Sequence, residues 1–140
     1  MSATMKLYQA PGTLTLHRAL WAGRIMSVFV VIALAADGTI QLFAPAQIAS
    51  MLQETGFAMD LTRIVGPILL ACAILYAVPA TTVLGAILVT GFLGGAICAH
   101  VRIGELGSQP ELIPLLLGAM TWGGLYLRDP RIRAILPLIH

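Results

Sequence analysis

Residues Pro79–Arg102, PATTVLGAILVTGFLGGAICAHVR, form an apolar run rich in small residues that ends in a histidine and an arginine. A segment this apolar belongs in lipid, because a helix crosses the hydrocarbon core on about 20 consecutive apolar residues. Its polar end is the first place to look for function, since ionisable side chains inside a span are expensive to keep there.

The rest of the chain has the same character. Of its 140 residues 59% are hydrophobic and only 10% are charged, with a mean hydropathy of +0.93. Soluble domains carry roughly 25% charged residues. One domain fits this length, and a bundle spanning the membrane several times is the economical way to bury so little polar surface. The formal charge of +2 is too small to point to nucleic acid.

Working outward from the quoted run, four apolar stretches are long enough to consider as spans: Ile25–Ala44, Ile64–Val78, Val83–Val101 and Leu112–Leu127. The second and fourth need their flanks to reach full length. Only Pro79-Ala80-Thr81-Thr82 separates the second from the third, where the proline stops a helix and no charge intervenes. These two spans are expected to form an antiparallel hairpin. The stretches Pro45–Arg63 and Arg102–Glu111 read as loops. The expected fold is therefore all-α, an integral membrane four-helix bundle.

Basic residues favour the cytoplasmic side when they flank short loops. Lys6, Arg18, Arg24, Arg128, Arg131 and Arg133 share one side, against Arg63 and Arg102 on the other, so both N and C termini are expected to be cytoplasmic. Trp21, Tyr76 and Tyr126 then fall at the inner interface, where amphipathic rings prefer to sit. Ala33-Leu34-Ala35 before Ala36 imitates a secretory cleavage site, but the basic region before it is long and the apolar stretch continues to Ala44. Residues 1–21 read instead as a cytoplasmic or interfacial tail, with a turn at Pro11-Gly12. Arg128-Asp129-Pro130-Arg131-Ile132-Arg133 opens a basic cytoplasmic tail over 128–140. Such arginines set topology and contact anionic headgroups, or dock a cytoplasmic partner.

Intramembrane polar groups carry the functional question. Asp37 lies in the outer half of the first span, His100 and Arg102 at the outer end of the third, and Arg63 at the outer start of the second. These four residues converge on one side of the membrane and form the expected ligand-binding set, with Asp37 and His100 as candidate catalytic groups. Asp37 can stay ionised there only if paired or hydrated, and Arg63, Arg102 or His100 could supply the pairing. The alternative is an ion pair that fixes helix register. Gly91, Gly95, Cys98 and Arg102 share one helix face, whereas His100, two residues from Arg102, points about 200° away.

Gly91, Gly95 and Ala99 form a small-residue pattern that lets another helix approach closely. Together with Gly94 they are expected to serve helix packing, within the bundle or in a homo-oligomer, or to leave a groove for an isoprenoid tail. Cys72 and Cys98 form no CxxC motif and differ in depth, so they read as two small buried hydrophobes rather than a disulfide. No metal site is expected, and there is no phosphate-binding glycine loop or serine with a base near it. His17 and His140 lie in the tails.

The run Pro79, Thr81, Leu84, Gly85, Ala86, Leu88, Thr90, Gly91, Leu93, Gly94, Gly95, Ala96, His100 and Arg102 resembles the DoxX-like family of small four-helix membrane proteins. Trp122 and Leu127-Arg128-Asp129-Pro130-Arg131 extend the likeness, as do Asp37-Gly38 and Gly56 ahead of Gly66. It covers about residues 22–137, with 22–127 as the DoxX-like domain. The resemblance implies a multi-pass protein of the bacterial inner membrane. Because the family takes its name from a subunit associated with quinone-linked thiosulfate oxidation, it also implies an accessory subunit of a membrane redox system, with a quinone as the cofactor and a separate redox partner protein. Two positions depart from the family pattern. Gln41 stands where relatives often carry lysine, and Leu69 where many carry glutamate, removing a counter-ion for Asp37 and a candidate proton carrier. A catalytic activity of the chain alone is not expected. The rival reading is a non-enzymatic scaffold or assembly protein whose polar cluster is structural.

Overall fold

The structure is a computed structural model that describes residues 11–104, 107 and 109–135. Lys6, His140 and the rest of the outermost tails expected on the cytoplasmic side lie outside the described residues. The described chain is all-helical: α1 Pro11–Phe43, α2 Ala49–Thr55, α3 Thr62–Ala77, α4 Thr82–Arg102, α5 Gln109–Arg128 and α6 Pro130–Ile135, with single 3-10 turns at Pro45–Ile48 and Met59–Leu61.

Pro11 and Gly12 do not make the expected turn; they open α1. A proline fits the first helical turn because its missing N–H would have no intrahelical acceptor there. At 33 residues, α1 is about 50 Å long by the rise of an α-helix, well beyond the hydrocarbon thickness of about 30 Å. Among the described residues three helical segments are long and apolar enough to cross a membrane, Leu16–Phe43, Met59–Ala77 and Thr82–Arg102. Their outward faces suit lipid and not water: Ile25, Ile32, Ile64 and Ile74 are each at least 60% exposed. Large apolar surfaces of this kind mark contact with a membrane or another protein.

The long helices pack in sequence around a shared core. α1 lies against α3 and α5, and α4 lies against the same two. Close approaches between backbones set these contacts. At the α1–α3 crossing, a Cβ built on Gly38 would sit 3.1 Å from the Gly66 carbonyl oxygen, and one on Gly66 the same distance from that of Gly38. Gly23 and Gly124 bring α1 onto α5, where a Cβ on Gly23 would stand 2.7 Å from the Gly124 oxygen. α3 turns into α4 over Val78–Thr81, and the hydroxyls of Thr81 and Thr82 donate to the carbonyls of Leu75 and Tyr76 at 2.8 and 3.2 Å. They occupy acceptors that a helix end leaves without partners.

The core holds Val30, Leu34, Leu69, Cys72, Ala73, Tyr76, Val89, Leu93 and Leu125. Tyr76 corrects one expectation: its ring is 0% exposed, so it belongs to the core and not to an interfacial belt. Its hydroxyl donates to the Thr121 carbonyl at 2.9 Å and shares a 3.0 Å hydrogen bond with Ser27. One phenol thus ties α1, α3 and α5 together, and its polar tip is satisfied where it is buried. Cys98 is the second correction. Cys72 is buried as expected, but Cys98 is exposed on α4.

Candidate functional site

The segment between α1 and α3, expected to be a loop, folds over the end of the helices as a helical cap. Ile48, Met51, Leu52 and Thr55 are spaced i, i+3, i+4, i+7 and so share one face. Leu52 and Thr55 are buried. Gly56 ends α2 in the left-handed conformation, φ 72°, which glycine adopts without a Cβ penalty. The chain then turns through Phe57 into α3.

Beneath this cap lies a cavity of about 390 Å³, within the size range of pockets that hold small organic ligands. Asp37 and Gln41 reach it from α1, Thr62 and Val65 from the start of α3, and Gly91, Phe92, Gly95, Ala96, Ala99 and His100 from α4. Ile48, Met51, Leu52, Thr55 and Phe57 roof it. Among the described residues none of the lining comes from α5. The walls are mostly apolar, and the polar groups are few and placed on facing helices.

Two of the four expected ligand residues meet here. Asp37 and His100, 63 positions apart in the chain, line one cavity, and His100 is only 7% exposed. Arg63 and Arg102 do not line it. Arg63 is exposed on α3. Arg102 donates from Nη2 to the Thr55 carbonyl, and its guanidinium carbon lies 6.0 Å from the centroid of the Phe57 ring. A guanidinium over an aromatic face is attracted to it, so Arg102 fastens the end of α4 to the cap instead of facing a ligand. The group nearest the Asp37 carboxylate in function is Gln41, whose Nε2 donates to Oδ1 at 3.3 Å. The residue that replaces the family's lysine therefore supplies a neutral hydrogen bond one helical turn away. It orients the carboxylate without adding a positive charge.

The surroundings of Gly91, Gly94 and Gly95 on α4 bear on the alternatives left open for them, packing within the bundle, packing in a homo-oligomer or a groove for a ligand. A Cβ on Gly91, Gly94 or Gly95 would meet nothing within 4 Å. These positions do not pack helices within the chain. Gly91 and Gly95, with Ala99, instead leave the α4 side of the cavity open, whereas the tight helix contacts fall on Gly23, Gly38, Gly66, Gly85 and Gly124. Sequence reasoning missed the roof, although the 48, 51, 52, 55 spacing was there to find. It also passed over Gln41 as a partner because a lost charge draws more notice than a retained hydrogen-bond donor.

The arrangement can hold an amphiphile: an apolar body along α4 and under the cap, and a headgroup that meets a carboxyl and an imidazole. Among the described residues no group of three histidine, cysteine, aspartate or glutamate side chains is placed to hold a metal. Residues 25–124 match the profile of the DoxX-like family. No curated protein and no solved structure matches the chain.

Proposed function

From the premise that this chain belongs to the DoxX-like family, we propose that it is a small accessory subunit of a quinone-linked redox system in the bacterial inner membrane. In this reading it crosses the membrane four times with both termini cytoplasmic, and the capped cavity lies in the outer half. The observation that carries the reading is the cavity itself. Asp37, held by Gln41, and His100 reach it from two facing helices, and its remaining walls are mostly apolar.

A quinone headgroup suits such a site, because its two carbonyl oxygens accept hydrogen bonds and its rings and tail prefer apolar walls. When bound, a quinone supplies a two-electron, two-proton couple. The chain's own residues have simpler tasks. His100 and Asp37 would hold the headgroup oxygens, Asp37 donating to a carbonyl oxygen when protonated and accepting from a quinol hydroxyl when ionised, so that a proton can pass there. The cap of Leu52, Thr55 and Phe57 excludes water, and Gly91 and Gly95 leave room for the body of the ligand. Electrons come from a separate redox partner protein.

Asp37→Asn tests the proposal. The asparagine oxygen can still accept from Gln41, so the fold should persist while the proton-exchanging group is lost. Binding of a short-chain quinol analogue, whose hydroxyl can donate to the Asp37 carboxylate, is expected in the native chain and to weaken about tenfold or more in the variant, the loss of a charge-assisted hydrogen bond. A native chain that binds no quinol, together with a variant that unfolds, would favour the second reading: a scaffold whose Asp37–Gln41 pair stabilises α1 beside the Gly38–Gly66 crossing.

A further inference from the structure

The cavity that Asp37 and His100 line has one side that the cap does not cover. Leu84, Leu88, Gly91, Gly95 and Cys98 follow one another along α4 at spacings of four, three, four and three residues, and so share one face. All five are exposed, Leu84 by 51% and Leu88 by 41%. On a helix apolar enough to cross a membrane, such a face suits lipid. Of the five, Gly91 and Gly95 alone also line the cavity. The exposed stripe and the cavity wall thus coincide at two residues that have no side chain, and a Cβ at either would meet nothing within 4 Å.

This opening lies at the depth of the acyl chains. α4 has 21 residues, about 31 Å of helix by its rise, which matches a hydrocarbon core of about 30 Å. Gly91 stands near the middle of that length. At the outer end, Leu52 and Thr55 are buried beneath the cap, and Arg102 fastens the cap through the Thr55 carbonyl and the Phe57 ring. A ligand arriving from water meets this cap, whereas one dissolved in the bilayer meets the gap at the glycines.

On the quinone reading of the cavity, we propose that the ligand is a membrane-dissolved quinone or quinol with a polyprenyl tail, which enters sideways at Gly91 and Gly95 and leaves its tail in lipid through that gap. A cavity of about 390 Å³ holds a drug-sized body. A polyprenyl chain is longer than such a body and must pass out of it. His100 and Gly95 are five residues apart, about 7.5 Å along the helix. A ring set against His100 therefore starts its tail level with Gly95, and the half-buried Phe92 and Ala96 give that tail an apolar wall.

The test measures binding of a short-chain quinol and of its polyprenyl counterpart to the full chain in one mild detergent, with size-exclusion chromatography to follow assembly. Gly91→Leu and Gly95→Leu put a side chain in the gap, and each should weaken the polyprenyl quinol about tenfold more than the short-chain one. Gly94→Leu occupies an equally open position outside the cavity lining and should leave both affinities unchanged. Equal weakening of the two quinols by leucine at 91 and 95 would refute the lateral gap and leave the quinone reading standing. A smaller assembly in all three variants would place a second copy over the stripe and overturn the gap as well. A native chain that binds neither quinol would overturn the quinone reading and this proposal with it.

Discussion

Replacing Gly85 with alanine should disrupt the α3–α4 hairpin, whereas the same change at Gly95 should leave the fold intact or slightly firmer. A Cβ on Gly85 would stand 2.3 Å from the Tyr76 nitrogen, 2.5 Å from its Cα and 2.6 Å from the Leu75 carbonyl carbon. All three are backbone atoms, so no rotamer change relieves the overlap, and the helices must separate. The contact they give up includes the buried Tyr76 and Ala86. Overpacking in a core costs about 1–3 kcal/mol, and an immovable backbone puts Gly85→Ala at the upper end of that range or beyond. At Gly95 a Cβ meets nothing within 4 Å, so alanine should gain the helix preference it holds over glycine, about 1 kcal/mol. The two variants therefore differ by about 4 kcal/mol in opposite directions, from the sum of those two effects. The assay is thermal unfolding of the purified chain in a mild detergent, with size-exclusion chromatography to follow the oligomeric state. An unchanged midpoint for Gly85→Ala would refute the backbone approach. A destabilised Gly95→Ala with a smaller assembly would show instead that the α4 glycines pack against a second copy.

Two further changes probe the core and the cap. Tyr76→Phe keeps the ring and deletes both hydrogen bonds of the hydroxyl, leaving the buried Ser27 hydroxyl and Thr121 carbonyl without it, and should lower stability by about 1–3 kcal/mol, read as a lower unfolding midpoint; no change would mean that the tie between α1, α3 and α5 contributes nothing. Arg102→Ala should leave the midpoint nearly unchanged but free the cap, so amide hydrogen exchange over α2 should rise several-fold, and quinone-analogue binding should weaken with it. Unchanged exchange would show that the Thr55 and Phe57 contacts do not hold the cap.

Composition and apolar run length were enough to establish a helical membrane protein, because lipid leaves a chain few ways to satisfy its backbone and each spanning helix must be apolar along its length. The family was legible for a related reason: small residues at fixed helical spacing are local patterns. The polar residues of the site were legible as types, since Asp37 and His100 are conspicuous in apolar surroundings. Their partners were not. Which of Arg63, Arg102 and Gln41 serves Asp37 depends on helix rotation and on where the 45–61 segment folds, and a difference of one side of a helix changes the answer. Glycine roles were equally ambiguous, since a glycine that admits a neighbouring backbone and one that leaves space for a ligand look alike in sequence. Only tertiary structure separated Gly85, pressed against Tyr76, from Gly95, open to the cavity. It likewise sent Arg102 to the cap and Tyr76 to the core. The sequence alone thus determined the solvent this chain lives in and its long apolar helices, because those follow from local hydropathy. The tertiary structure decided which side chains meet, because that depends on distances between segments far apart in the chain.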